Sequence, residues 1–138
     1  MSIQLSVAVR NAQADALEST VGTAPKLQIR TGAPPANCAA ADSGTLLCEI
    51  NLPSDWLNAA SSGAKTLAGT WSGAGAVGAG AGTDGGHFRI KDSSGTTTHM
   101  QGTFGETADS ADMTADNKNI ATGQTVNITS FSYTRANS

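Results

Sequence analysis

Charge is scarce in this chain of 138 residues: Asp, Glu, Lys and Arg make up 14% of it, and the net charge is −3. Aromatic residues are scarcer still, at 4%. The eight lysines and arginines are spread along the sequence, so no basic stretch offers itself to a phosphate backbone, and a nucleic-acid partner is not expected. Long apolar runs are missing as well. None approaches the ~20 residues of a helical membrane span, so no membrane partner is expected. The opening MSIQLSVAVRNAQADALES has no basic segment, and Arg10 interrupts its apolar run. It therefore does not read as a secretory signal, and synthesis in a cytoplasm is expected. On that reading the sequon Asn127-Ile128-Thr129 has no role. Cysteine is limited to Cys38 and Cys48, whose separation fits no zinc motif. Two reduced, small apolar side chains are expected there.

Ala, Gly, Ser and Thr fill the space left by these absences, and the length suits one domain with a modest core. At the N-terminus, Leu5, Val9, Ala12, Ala16 and Leu17 recur at spacings of three and four, predicting a helix capped by Ser2 or Ser6 and ended by Gly22 and Pro25. From Lys26 the period changes to two. Lys26–Thr31 and Thr45–Leu52 read as strands, the second placing Leu46, Cys48, Ile50 and Leu52 on one face until Pro53 stops it. Ser54–Ala60 reads as one helical turn capped by Ser54, and Thr66–Ser72 as a further strand.

His87–Thr103 reads as a hairpin turning at Ser93-Ser94-Gly95. The register that matches apolar residues sets Phe88 opposite Met100 and Ile90 opposite Thr98, with His87, Arg89 and His99 outward. Short strands follow near Asp112–Ala115 and Asn119–Ala121. The last strand carries Val126 and Ile128, then Phe131 and Tyr133; the phase slips by one between them, predicting a bulge near Thr129 or Ser130. The sum is a mainly β protein, an antiparallel two-sheet sandwich or jelly roll with an N-terminal helix. The helix or arm occupies 1–24 and the β domain 25–138.

Chemical motifs are few. Gly73-Ala74-Gly75-Ala76-Val77-Gly78 spells the dinucleotide fingerprint, which works only where a helix begins after it. Here further glycines follow, each costing ~1 kcal/mol in a helix, and no Lys or Arg lies between Thr66 and Gly86. A connection running close to another backbone, or a mobile one, is expected instead. His87 and His99, the two histidines, read as surface residues, and the acidic stretch with Glu106, Asp109, Asp112 and Asp116 lacks calcium-loop spacing. No catalytic, cofactor-binding or metal-binding residue is assigned, and no cofactor is expected. Trp56, Trp71 and Tyr133 are candidate partner anchors, since such side chains dominate interface hot spots. Leu5, Val9 and Leu17 are the candidate contact stripe of the arm.

Three segments, LQIRTGAPPANCAAADSGTLLCEINLP, GGHFRIKDSSGTTTHMQGT and NIATGQTVNITSFSYT, resemble, in this order, small proteins from the head-gene regions of tailed phages. The resemblance is strongest to the capsid cementing (decoration) proteins of Bordetella-type podoviruses, and it covers most of the chain after Lys26. It implies a non-enzymatic jelly-roll domain, made in the bacterial host cytoplasm and located on the outer capsid surface of the virion. There it would bind the phage major capsid protein and clamp neighbouring capsomers, as a homodimer, with a homotrimer left open. A host-surface or carbohydrate-binding sandwich module, or a low-copy head-completion or tail protein, is the alternative.

Overall fold

A computed structural model describes residues 3–136. It begins with one helix, α1 (Val7–Val21), capped by Ser6, whose hydroxyl accepts the Val9 N–H at 3.2 Å. Gly22, at φ 94°, closes the helix by donating its N–H to the Glu18 carbonyl. Ser2, the other candidate cap, lies outside the described residues. The buried face is not the expected stripe. Ala14 and Val21 are buried and Leu17 packs against the core, whereas Val9 is 43% exposed and Ala12 and Ala16 face solvent. Polar side chains set this phase. Asn11, Asp15 and Glu18, on the same face as Ala14, have partners in the body of the protein, so this face turns inward.

Ten strands follow: β1 (Lys26–Arg30), β2 (Leu46–Asn51), β3 (Ala64–Thr66), β4 (Ser72–Ala74), β5 (Thr83–Asp84), β6 (His87–Lys91), β7 (Thr98–Gly105), β8 (Met113–Ala115), β9 (Asn119–Ile120) and β10 (Thr125–Thr134). The main sheet runs β2-β1-β6-β7-β8-β10-β3, with β4 also paired to β10; β5 and β9 form a small separate sheet. All pairs are antiparallel except β7 with β8. The main sheet curls into an incomplete barrel. Its two ends approach through β4, which pairs with β10 while Gly75 just beyond it bridges Cys48 of β2, and the Ala76 N–H donates to the Leu47 carbonyl at 2.7 Å. Fold class is therefore mainly β with one N-terminal helix, but a curled mixed sheet with the small two-stranded sheet beside it replaces the expected two-sheet sandwich or jelly roll. The cause is the bulged β10, which meets β4, β8 and β3 along successive parts of its length and so bends the sheet around one core. The register shift between Ile128 and Ser130 lies where the sequence predicts it.

That core is organised by a row of rings: Trp56 to Trp71 at 6.0 Å between centroids, Trp71 to Phe131 at 5.5 Å, and Phe131 to Phe88 at 5.9 Å. Both indole N–H groups are satisfied internally, Trp56 by the Gly22 carbonyl and Trp71 by that of Ala68, each at 3.1 Å. The helical turn expected at Ser54–Ala60 is absent; Leu57 instead bridges Leu67 in extended backbone. The strand expected over Thr66–Ser72 is split between β3 and β4, because the loop between them carries Trp71 into the core.

The β6–β7 hairpin has the expected partners slid by two residues. Phe88 pairs with Gly102 and Ile90 with Met100. One residue of the slip comes from a longer turn, in which the Asp92 carboxylate accepts the N–H groups of Thr96 and Thr97. The other comes from a bulge, since Lys91 pairs with Thr98 but Ile90 with Met100, leaving His99 extra. Two single-residue shifts restore the side-chain parity, so Phe88 and Ile90 still face the core.

Candidate functional site

β6 alternates apolar and basic residues, yet all five are buried. His87, Arg89 and Lys91, expected to face solvent, are 0%, 1% and 6% exposed. The cover is the loop 31–45 between β1 and β2, a compact surface loop pinched at its base. There the Thr31 N–H donates to the Thr45 carbonyl at 3.1 Å and the Thr45 N–H to the Thr31 hydroxyl at 2.9 Å. Asn37 shapes the loop's centre by accepting the N–H groups of Ala39 and Ala40 on its side-chain oxygen.

Arg89 holds this loop down. Its two Nη atoms donate to the carbonyls of Asn37, Cys38 and Ala40, and Nη1 also reaches Asp42 Oδ1 at 2.6 Å. Lys91 Nζ reaches Asp42 Oδ2 at 2.6 Å and Arg30 Nη2 the same oxygen at 3.3 Å. Asp42 is thus one carboxylate shared by three cations. Burial raises its pKa, but the hydrogen bonds from Lys91 and Arg89, with the nearby charge of Arg30, outweigh this and hold it below its ordinary 3.8. On the flank, Gln28 donates to Glu49 at 2.8 Å and accepts from Arg30, while Lys26 pairs with Glu49 at 3.5 Å. Gln101 of β7 donates to the Pro35 carbonyl at 2.7 Å, and His87 Nδ1 to that of Gly32 at 2.9 Å. Beside the cluster an open depression of about 580 Å³ is lined by residues 38–42, Arg89, Lys91 and Thr96–Thr98.

Sequence reasoning misses this cluster because its cations are distant in the chain. Only the pairing of β1 with β6, which aligns Lys26 with Lys91, Gln28 with Arg89 and Arg30 with His87, gathers them on one face. The available clue was the period-two basic pattern of β6 itself.

The partner-binding candidates separate into two groups. Trp56 and Trp71 are core residues, 0% and 1% exposed, so neither side chain is presented to another surface. Leu17 and Tyr133 are partly buried and pack against the core. Leu5 is half-buried ahead of α1, and Val9 is exposed. Four of the six, Leu17, Trp56, Trp71 and Tyr133, thus belong to or pack on one core, while Leu5 and Val9 lie at the start of the helix.

The acidic stretch makes local contacts. Asp109 accepts the Glu106 N–H and pairs with Lys118, Asp112 accepts from Thr103, and Asp116 from Asn127. Among the described residues no three His, Cys, Asp or Glu side chains converge on a metal-sized space. Cys48 lies in the core, its thiol pKa pushed up to about 11 by burial and then by the charge of Glu49; Cys38 lies apart in the loop. In the glycine-rich connection, no α-helix follows the fingerprint. Ser72–Ala74 is β4 and Val77–Ala79 is a single 3-10 turn. A Cβ on Gly75 would run into the Ala121 carbonyl oxygen, so close backbone approach accounts for that glycine. No protein-family model, no curated protein and no solved structure matches the chain.

Proposed function

We propose that this is a structural virion protein that binds the outside of a phage major capsid protein shell and clamps neighbouring capsomers, with two copies acting together. The observation that carries the reading is the exposure of large apolar side chains at and just ahead of the start of α1. Ile3, Val7 and Val9 are 82%, 49% and 43% exposed, and among the described residues Val77 of the glycine-rich connection, at 88%, is the other exposed large apolar side chain. Exposed apolar side chains gathered in one segment are candidate partner contacts, although Val7 and Val9, two residues apart, point to different sides of the helix. The resemblance of the segments forming β1, β2, the β6–β7 hairpin and β10 to capsid cementing proteins supports it. Modest affinity per copy suffices on a repeating lattice, since each attachment raises the effective concentration for the next.

The test uses heads of the encoding phage. Wild-type protein should bind them at a copy number comparable to the major capsid protein, read by gel densitometry of purified particles. Ile3→Ser/Val7→Ser/Val9→Ser should fold normally and lose occupancy by more than about tenfold, because burying such side chains contributes ~1.5–3 kcal/mol each. Wild-type copy number far below that of the major capsid protein points to a connector or tail component and overturns the reading. So does full occupancy by the triple variant.

A further inference from the structure

The fold concentrates positive charge that the sequence disperses. Four of the eight lysines and arginines, Lys26, Arg30, Arg89 and Lys91, stand on one face of β1 and β6. Two carboxylates answer them, Asp42 and Glu49, which leaves an excess of two positive charges in a chain whose net charge is −3. The neighbouring Asp92 carboxylate is engaged in its own turn, accepting from Ser94, Thr96 and Thr97.

The excess is also undersatisfied. Lys91 carries three ammonium hydrogens, and its hydrogen bond is the one to Asp42, although its side chain is only 8% exposed. Arg89 Nε is buried with no partner. Nearly buried cations are costly unless their hydrogens are taken up by acceptors. Both residues line the open depression, whose wall is completed by Cys38, by the small side chains of Ala39, Ala40 and Ala41, by the Asp42 carboxylate already engaged with the three cations, and by the hydroxyl-bearing Thr96, Thr97 and Thr98.

The geometry points to an anion-binding site in this depression: an oxygen anion, carboxylate or phosphate, seated on Lys91 and drawn by the Arg30–Arg89–Lys91 charge. Arg89 acts mainly by holding the 37–42 segment that shapes the site, since its Nη atoms are engaged with loop carbonyls and Asp42. Asp42 acts as the fixed counter-charge that lets the cations assemble before a ligand arrives. This inference stands independently of the virion reading.

The test is a titration of the full chain with inorganic phosphate and, separately, with acetate at constant ionic strength against chloride, followed by amide chemical shifts. Saturable shifts confined to residues 38–42, 89–91 and 96–98 are expected. Saturation by both anions assigns a general carboxylate-or-phosphate site, and saturation by phosphate alone assigns phosphate. Lys91→Gln should weaken binding about tenfold or more, the scale of one charge-assisted hydrogen bond, and Lys91→Arg should retain it. Ala41→Phe should obstruct the depression with the cluster's charge unchanged, which keeps the site testable if Lys91→Gln folds poorly. Failure of both anions to saturate overturns the proposal, as does wild-type affinity in both Lys91→Gln and Ala41→Phe.

Discussion

Replacing Asp42 by Asn keeps its shape and removes the charge that Arg30, Arg89 and Lys91 share. Two of those cations are nearly enclosed, so the loss is that of a broken buried pair, on the order of 3 kcal/mol. A urea titration of Asp42→Asn should show a lower midpoint with an unchanged slope. The pH dependence has a fixed sign. A carboxyl held below its ordinary 3.8 when folded contributes stability that is complete above that value and is lost as pH falls through the folded value. Asp15, held down first by its hydrogen bond from Lys65, Asp109, held down first by the Glu106 N–H, and Asp92, held down first by the Thr96 N–H, act in the same direction. Unfolding midpoints of the wild type should therefore drop below about pH 4, and Asp42→Asn should show a shallower drop over the same window. This residue-scale behaviour was not legible in the sequence. Arg89 and Lys91 look solvent-facing in an alternating strand, and only a loop placed some fifty residues earlier in the chain decides otherwise.

At the scale of elements, local pattern carried the reading where neighbours in sequence are neighbours in space. β1, β2 and the bulged β10 follow from alternation, and α1 from its Ser6 and Gly22 ends. Local pattern failed where a tertiary contact chose between options. The turn of the β6–β7 hairpin was lengthened by the Asp92 cap, and the phase of α1 was chosen by polar partners rather than by its weak apolar stripe. The glycine-rich connection illustrates both outcomes, since composition predicts close approach or mobility without choosing between them. Gly75→Ala should destabilise by ~1–3 kcal/mol through overpacking against Ala121, at the point where the curled sheet is drawn together. Gly80→Ala meets open space where its Cβ would sit, but φ 61° and ψ −136° lie outside the left-handed helical region, in backbone that glycine alone adopts readily, so backbone strain should cost ~1–3 kcal/mol. Thermal denaturation of the two variants side by side checks both costs.

For the whole molecule, α1 is built into the body rather than appended to it. Lys65 of β3, 1% exposed, pairs with Asp15 at 2.7 Å and Glu18 at 3.1 Å, and Trp56 donates to Gly22 at the end of the helix. Gly63 and Ala60 donate their N–H groups to Asn11 and Asp15. Removing residues 1–22 would strip the carboxylates from a buried ammonium and uncover Trp56. The truncated chain should lose its cooperative thermal transition, measured by circular dichroism, instead of behaving as an intact domain without an arm. Loss of capsid binding by such a truncation would therefore say little about contact, which is why surface substitutions at Ile3, Val7 and Val9 are the discriminating variants. The curled sheet belongs to this scale too. Strand count and turn spacing are compatible with a sandwich, and the difference rests on β4 lying between β10 and β2, a pairing with no local signature.

The Lys65 ion pairs also act as a rotational key. Successive residues of an α-helix are about 100° apart around its axis, so a one-residue roll of α1 would carry Asp15 and Glu18 away from Lys65 and leave its ammonium stranded. An apolar seam could tolerate such a roll by exchanging one alanine for another; a charge lock cannot. The rotation of the helix carrying Val7 and Val9 is thus set before any partner arrives, and a surface that docks there meets an element whose orientation has already been fixed by folding.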